Sequence, residues 1–354
     1  MSDQTEHLQA QVRAALQDNR KLAIVGGGSK AFMGRLSDVL CDPLELSGHS
    51  GIVDYLPVEL VLTVRAGTPL RQIEAALAEH NQCLSFEPPH FSESATIGGT
   101  LACNQSGPGR PWTYSVRDQV LGLRLINGHA EHLRFGGQVM KNVAGYDVSR
   151  LQAGALGTLG VITEISLKVM PRPAHSLTLV QPMPMEDAIP FMNQRAGEPK
   201  PLTGACWLDG QLYLRLSGAR SAVEATAHHW PGEVIEDAER FWADLRDQRL
   251  DFFAGDAPLW RFSVSPTAPN PPLDGPWLLD WGGAQRWYRG EANLSDMEPL
   301  AAAAGGQVSL FRGGDRSGEV MHRQPEALRG LQQRLKQAFD PQGIFNPGRL
   351  YSGL

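Results

Sequence analysis

Cysteine is scarce: four residues in a chain of 354, at Cys41, Cys83, Cys103 and Cys206, with no CxxC pair. That scatter excludes the usual cysteine pattern of an iron–sulfur cluster and supplies no disulfide framework. It reads as a set of buried thiols in a cytosolic protein. An excess of positive charge is also missing. Lys and Arg number 32 against 38 Asp and Glu, for a net charge of −6 and a pI near 5.9, which argues against a nucleic-acid role. No apolar run reaches the roughly 18 residues that a membrane span needs. The first residues, Ser2-Asp3-Gln4-Thr5-Glu6, lack the basic and apolar regions of a signal peptide. The expected location is cytoplasmic. There is no internal repeat and no low-complexity tract.

Glycine, by contrast, is abundant, with 38 residues. Several fall in tight groups before residue 161, where only a missing Cβ lets main chain come close to a ligand. The length suits two domains. Thr5 is placed to cap a helix burying Leu8, Val12, Ala15 and Leu16. Residues 22–25 form a short strand running into Gly26-Gly27-Gly28. Residues 58–66 read as a strand, and Thr68 with Pro69 opens a helix lined by Leu70, Ile73, Ala76 and Leu77. Asn127-Gly128 turns a hairpin between strands 120–126 and 131–135. Residues 161–170 alternate as a half-buried strand.

Pro171 and Pro173 mark a boundary, beyond which short strands and helices mix. Residues 207–216 form a hairpin turned at Asp209-Gly210, and 222–230 and 237–250 are helical. Residues 266–276, with five prolines, form a loop. A last helix, 324–339, stops at Asp340-Pro341.

Three blocks carry the chemistry. The first, Ile24-Val25-Gly26-Gly27-Gly28-Ser29-Lys30-Ala31, follows a strand and can aim several N–H groups at one anion. Each such charge-assisted bond contributes about 1.5–3 kcal/mol. Gly26-x-Gly28-x-x-Ala31, with Glu45 downstream, also fits a dinucleotide fingerprint. That pattern needs a helix opening inside the glycines, however, and residues 29–36 are poorly amphipathic and contain Gly34. A Walker A loop is excluded, because no Gly-Lys-Ser/Thr ending is present. The second block runs from Ala95 to Gly107 (ATIGGTLACNQSG). The third comprises Lys141–Asp147 (KNVAGYD) and Gly154–Thr163 (GALGTLGVIT). Three small-residue blocks beside element ends imply a long ligand laid across several loops.

Together with YSVRDQVLGL and DPQGIFNPGRL near the end, these blocks resemble the vanillyl-alcohol oxidase / p-cresol methylhydroxylase (PCMH-type) FAD-binding superfamily. GGGSKAF, NVAGYDVSRL and LYLRLSG most resemble the smaller FAD-binding subunits of bacterial glycolate oxidases. The resemblance implies an α+β class: a PCMH-type two-subdomain FAD-binding fold over 1–172 and a mixed α/β cap over 173–320. Residues 321–354 would form a C-terminal helix and tail returning to the first domain.

The resemblance also implies FAD as cofactor. Gly26, Gly27, Gly28, Ser29 and Lys30 would take the pyrophosphate. Thr96, Ile97, Gly98 and Gly99 would run along the FAD, with Asn104, Ser106 and Gly107 beside its ribityl or phosphate region. Gly157, Thr158, Gly160 and Ile162 would meet the adenine side or flavin edge, and Asn346 would bring the tail onto the cofactor. Some relatives attach FAD through a His in the first glycine loop; Ser29 stands there, so FAD is expected to be non-covalent.

The implied activity is FAD-dependent oxidation of a small 2-hydroxy acid, glycolate and also D-lactate, with electrons passing to an acceptor other than NAD. The implied partners are a second flavoprotein subunit and an iron–sulfur subunit, with membrane contact only through them, on the cytoplasmic face. The metal-binding His-rich stretch of related dehydrogenases is missing: His228-His229, His129, His132 and His322 make no such set, and no metal is expected. A self-sufficient FAD dehydrogenase of another hydroxy acid or alcohol and a non-catalytic FAD-binding assembly subunit remain alternatives. The catalytic base is unassigned. Arg117, Lys141 and Arg312 are cation candidates for a substrate carboxylate, and Tyr146 is a hydrogen-bonding candidate. Trp230, Phe241, Trp242, Phe252 and Phe253 are candidates for a docking surface.

Overall fold

The computed structural model describes residues 2–137, 147–235 and 237–354. The chain opens with helix Thr5–Gln17, which buries Leu8, Val12 and Ala15 at the spacing its sequence dictates. Gln4 rather than Thr5 precedes the first turn, and its side chain makes no capping bond. Strand Leu22–Val25 then pairs in parallel with Asp42–Glu45. The glycine loop leaves from its end without entering a helix, which removes the geometry that a dinucleotide fingerprint requires.

A five-stranded antiparallel sheet follows, in the order Ile52–Leu56, Val61–Arg65, Val161–Lys168, Val120–Ile126, His132–Gly136. The strand that closes this region in sequence therefore sits in the middle of the sheet. Helix Leu70–Ala78 covers it with Leu70, Ile73 and Leu77. Thr68 does not cap that helix. Its hydroxyl donates to the carbonyl oxygens of Arg65 and Gly51 and accepts from the Gly51 amide, because Pro69 already occupies the N-terminal flank. The hairpin turns over residues 127–131. It is held less by Gly128 than by the Asn127 Oδ1, which accepts from the amides of His129 and Glu131.

Apart from the short antiparallel pair Gln82–Cys83 and Met170–Pro171, the remaining strands form one eight-stranded antiparallel sheet, ordered Glu233–Val234, His175–Pro182, Gln211–Gly218, Leu202–Leu208, Trp277–Asp280, Gln285–Arg289, Leu259–Ser263, Gln307–Arg312. On one face, Trp260 and Phe262 pack against helix Leu294–Ala303. On the other, Leu259, Leu278, Trp287 and Phe311 pack with Met33 from the glycine loop region. Trp230, Trp242 and Phe253 are buried in these cores and Phe241 and Phe252 pack half-buried against them. The aromatic docking surface is thus consumed by internal packing. Of the cysteines only Cys206 is fully buried; the other three are half-buried free thiols.

Helix Glu326–Phe339 is followed by a return to the first strand. Phe345 bridges Leu22, and the Asp340 carboxylate accepts from the amides of Ile344 and Phe345. Lys336 joins this knot, donating to Asp340 and to the carbonyl oxygen of Thr158. Among the described residues no helix is long and apolar enough to cross a membrane.

Candidate cofactor site

A cavity opens between the end of strand Leu22–Val25, helix Ile97–Ala102, the loop around Gly157 and the C-terminal tail. From the sequence-implied residues it brings together Gly26, Gly27, Gly28, Ser29, Lys30, Thr96, Gly98, Gly99, Gly157, Gly160, Ile162 and Asn346. These span 320 positions of sequence, and none of the lining residues is acidic. Among the described residues, the amides of Gly26, Gly27, Gly28, Ser29 and Lys30 have no hydrogen-bond partner. Gly28 takes φ 71° and its missing Cβ would meet nothing within 4 Å, so the main chain faces open space there, whereas Gly26 and Gly27 pack closely on Thr96 and Ser94. A run of unpaired N–H groups with a left-handed glycine is an anion nest.

Two cations stand beside it. Lys30 is 5% exposed, and among the described residues its ammonium meets only the Ser29 hydroxyl, at 3.3 Å, and the Phe91 ring, at 5.4 Å. Burial pushes its pKa down to about 8, against weaker opposing pulls from Cys103 and Asp247. Arg349 lines the cavity from the tail and has no carboxylate partner among the described residues. It lies in the quoted FNPGRL segment, three residues past Asn346, yet sequence reasoning passed it over. Its signal was a cation placed just beyond a turn-forming Asn-Pro-Gly.

Asn346 ties distant segments of the chain together. Its Oδ1 accepts from the Ile24 amide at 2.8 Å and its Nδ2 donates to the Leu156 carbonyl oxygen at 2.6 Å. It thereby clips the first and third blocks together across the tail. Thr96 caps the glycine helix, accepting from the Gly99 amide.

Other implied residues stand apart from the cavity lining. Ile97 is a core residue with no exposure. Thr158 is buried and donates to the Ala155 carbonyl oxygen. Ser106 accepts from the Val116 amide, and Gly107 receives the Trp281 indole N–H on its carbonyl oxygen. Asn104 is exposed just past the glycine helix, at φ 49°.

Of the substrate candidates, Arg117 is exposed on the short helix Val116–Gln119, away from the cavity lining. Arg312 packs over Phe32 and Phe91, beside Lys30. Lys141 and Tyr146 lie outside the described residues. The histidines serve separately: His132 pairs with the Thr163 hydroxyl, His322 accepts from the Val308 amide, and His228 and His229 are exposed. Among the described residues no group of His, Cys, Asp and Glu is arranged to hold a metal.

An FAD binding domain model matches residues 2–136. Glycolate oxidase subunit GlcE of Escherichia coli K12 is 47% identical over 352 residues, covering 99% of both chains. The chain belongs to the GlcE family of glycolate oxidase subunits. A D-lactate dehydrogenase of Archaeoglobus fulgidus is 25% identical, over 80% of this chain and 76% of that protein. Glycolate oxidase subunit GlcD of Bacillus subtilis is 37% identical over 123 residues, 34% of this chain and 26% of that one. A solved alkyldihydroxyacetonephosphate synthase superposes with a TM-score of 0.66 at 16% identity, over 97% of this chain and 74% of its own. That likeness establishes the PCMH-type α+β fold.

FAD is the cofactor of this flavoprotein family, and the cavity residues fit it. The free amides, the unpaired cations and the absence of lining carboxylates suit a diphosphate. The cavity also shows what the domain match does not reach, since the Gly157 loop, Asn346 and Arg349 all lie beyond residue 136.

Proposed function

We propose that this chain holds FAD non-covalently and serves as an oxidoreductase subunit of a complex that converts glycolate, and also D-lactate, to the 2-oxo acid. The reading rests on one observation: among the described residues, five consecutive unpaired amides flanked by Lys30 and Arg349, in a cavity lined by no carboxylate. Gly26 to Lys30 and Arg349 would hold the diphosphate. The surfaces of Gly98, Gly99, Gly157, Gly160 and Ile162 would bed the rest, and Asn346 would keep the two halves of the cradle in register. Bound FAD supplies a two-electron acceptor for the hydride leaving the hydroxy-acid Cα.

The chain's own contribution is position and charge. It anchors the cofactor, excludes water with the aromatic packing around Phe32 and Phe91, and offers cations to a substrate carboxylate. A second flavoprotein subunit would complete the acid–base chemistry, and an iron–sulfur subunit would carry electrons to an acceptor other than NAD. Membrane contact would be made through these partners on the cytoplasmic face. The division into 1–172, a cap over 173–320 and a returning tail over 321–354 belongs to the same proposal. It accords with a core cluster that joins Ile344 and Phe345 to the N-terminal sheet.

The test is spectroscopic and kinetic. The purified chain should be yellow. With an artificial dye acceptor it should turn over glycolate and D-lactate slowly alone and faster when partners are added. Full activity of the chain alone removes the dependence on partners, and a colourless protein that takes up no FAD removes the whole reading.

A further inference from the structure

The face of the C-terminal sheet that looks toward the glycine loops carries more positive charge than a diphosphate accounts for. Arg261 sits at the middle of strand Leu259–Ser263, cross-strand from Trp287 and Ser309. Its Nε is sealed from solvent and has no partner, and no carboxylate pairs with its guanidinium among the described residues. Only the Phe311 ring lies under it, at 5.4 Å. Arg312, opposite Leu259 on the neighbouring strand, stacks on Phe32 at 4.6 Å and donates to the Gln248 amide oxygen at 2.7 Å. It too has no carboxylate partner among the described residues. Phe32, Phe91 and Phe311 form one edge-to-face trio, so both guanidiniums are held by aromatic walls rather than by counter-ions.

The charges of Arg261, Lys30 and Arg349 all reach the Cys103 thiol, which ends the glycine helix and lines the cofactor cavity. A guanidinium with an orphaned Nε is costly to leave unpaired, and its planar donor fork matches a carboxylate.

We propose that Arg261, with Arg312 on the other rings of the same phenylalanine trio, is the anchor for the carboxylate of the small acid that this subunit receives, next to the cofactor cavity at Cys103. The inference rests on the hydroxy-acid reading above and supplies the residue that it left open. Burial holds the pKa of Arg261 down to about 10 and lowers that of Arg312, and both remain charged at neutral pH.

The test uses the full chain reconstituted with FAD. Oxalate, a carboxylate that the enzyme cannot dehydrogenate, is titrated while the fluorescence of Trp287 and its neighbours and the flavin spectrum are followed. Glycolate is titrated in parallel. Saturable binding is expected, weakened about 10-fold or more in Arg261→Gln and less in Arg312→Gln. Arg117→Gln, which removes an exposed cation elsewhere, should bind as wild type does, and FAD affinity should be unchanged in all three. Equal oxalate affinity in Arg261→Gln and wild type overturns the site, as does a wild-type chain that binds no carboxylate. Glycolate turnover by the assembled complex separates the two ideas. Turnover that survives Arg261→Gln unaltered refutes the anchor and leaves the hydroxy-acid reading intact. Oxalate binding through Arg261 in a complex inert to glycolate and D-lactate keeps the anchor and refutes that reading.

Discussion

Replacing Lys30 by Met should move two properties in opposite directions. Lys30 is nearly fully buried, with no carboxylate to pair with among the described residues, and burial lowers its pKa from 10.5 to about 8. That depression corresponds to about 3 kcal/mol carried by the charged apo protein at neutral pH. Met keeps most of the stem over Phe91 and removes the charge. Apo Lys30→Met should therefore be more stable than apo wild type by up to about 3 kcal/mol at pH 7. The pH dependence follows from the direction of the shift. Between about pH 8 and 10.5 the unfolded chain holds this proton more tightly than the folded one, so its contribution to apo stability rises with pH across that window. Below it both states are charged and the cost is constant; above it both are neutral and the cost is gone.

FAD binding should reverse the order. A diphosphate beside the ammonium favours its charged form, so the variant loses a charge-assisted bond and binds about 10- to 100-fold more weakly. The assay is denaturation of apo protein at pH 7 and pH 9.5, with FAD affinity read by fluorescence quenching. The difference between wild type and variant should be large at the lower pH and smaller at the higher. If Lys30→Met is no more stable as apo protein and holds FAD equally well, Lys30 does not face the cofactor.

Gly99→Val should keep the fold by circular dichroism yet lose FAD, because an added Cβ meets only the Thr96 hydroxyl, at 3.3 Å, on a residue that lines the cavity. Gly98→Val should instead destabilise the protein itself, since its Cβ would stand 2.8 Å from the Ala66 Cβ and carbonyl oxygen; a melting comparison of the two apo variants distinguishes these effects. Asn346→Ala removes both buried clip bonds and should cost about 2–4 kcal/mol of stability along with FAD retention, whereas unchanged melting would show the clip to be dispensable. Acid precipitation should release all the flavin into the supernatant, given Ser29 where a linking His would stand; flavin left in the pellet would contradict non-covalent binding.

Much of the frame was legible in the sequence because it rests on local patterning. The 3.6-residue spacing of Leu8, Val12 and Ala15 and the turn residues at Asn127 and Asp209 each act within one element. Residues 161–168 form the expected strand but not a half-buried one: at the centre of the five-stranded sheet the strand buries both faces, and only Glu164 and Lys168 are partly exposed. The three glycine blocks were legible for a similar reason: a backbone that must approach a ligand has few residue types to choose from. Local rules misplaced what depends on competition between neighbours, such as Thr68, whose hydroxyl finds Gly51 rather than the helix that follows it.

Only the tertiary structure decided how the blocks combine. Asn346 reaches Ile24 across 322 residues, and Arg349 and Lys30 flank one cavity from opposite ends of the chain. The sequence does not single out Arg261; it becomes a candidate anchor only because the neighbouring strands and the glycine loops surround it with rings and, among the described residues, no carboxylate. Whether a charge is paired is a property of the space around it, and that space is assembled from segments whose separation in sequence carries no local signal. The sequence by itself determined which elements form and that main chain must lie open to a ligand; the packing of the two sheets decided which cations are left facing it.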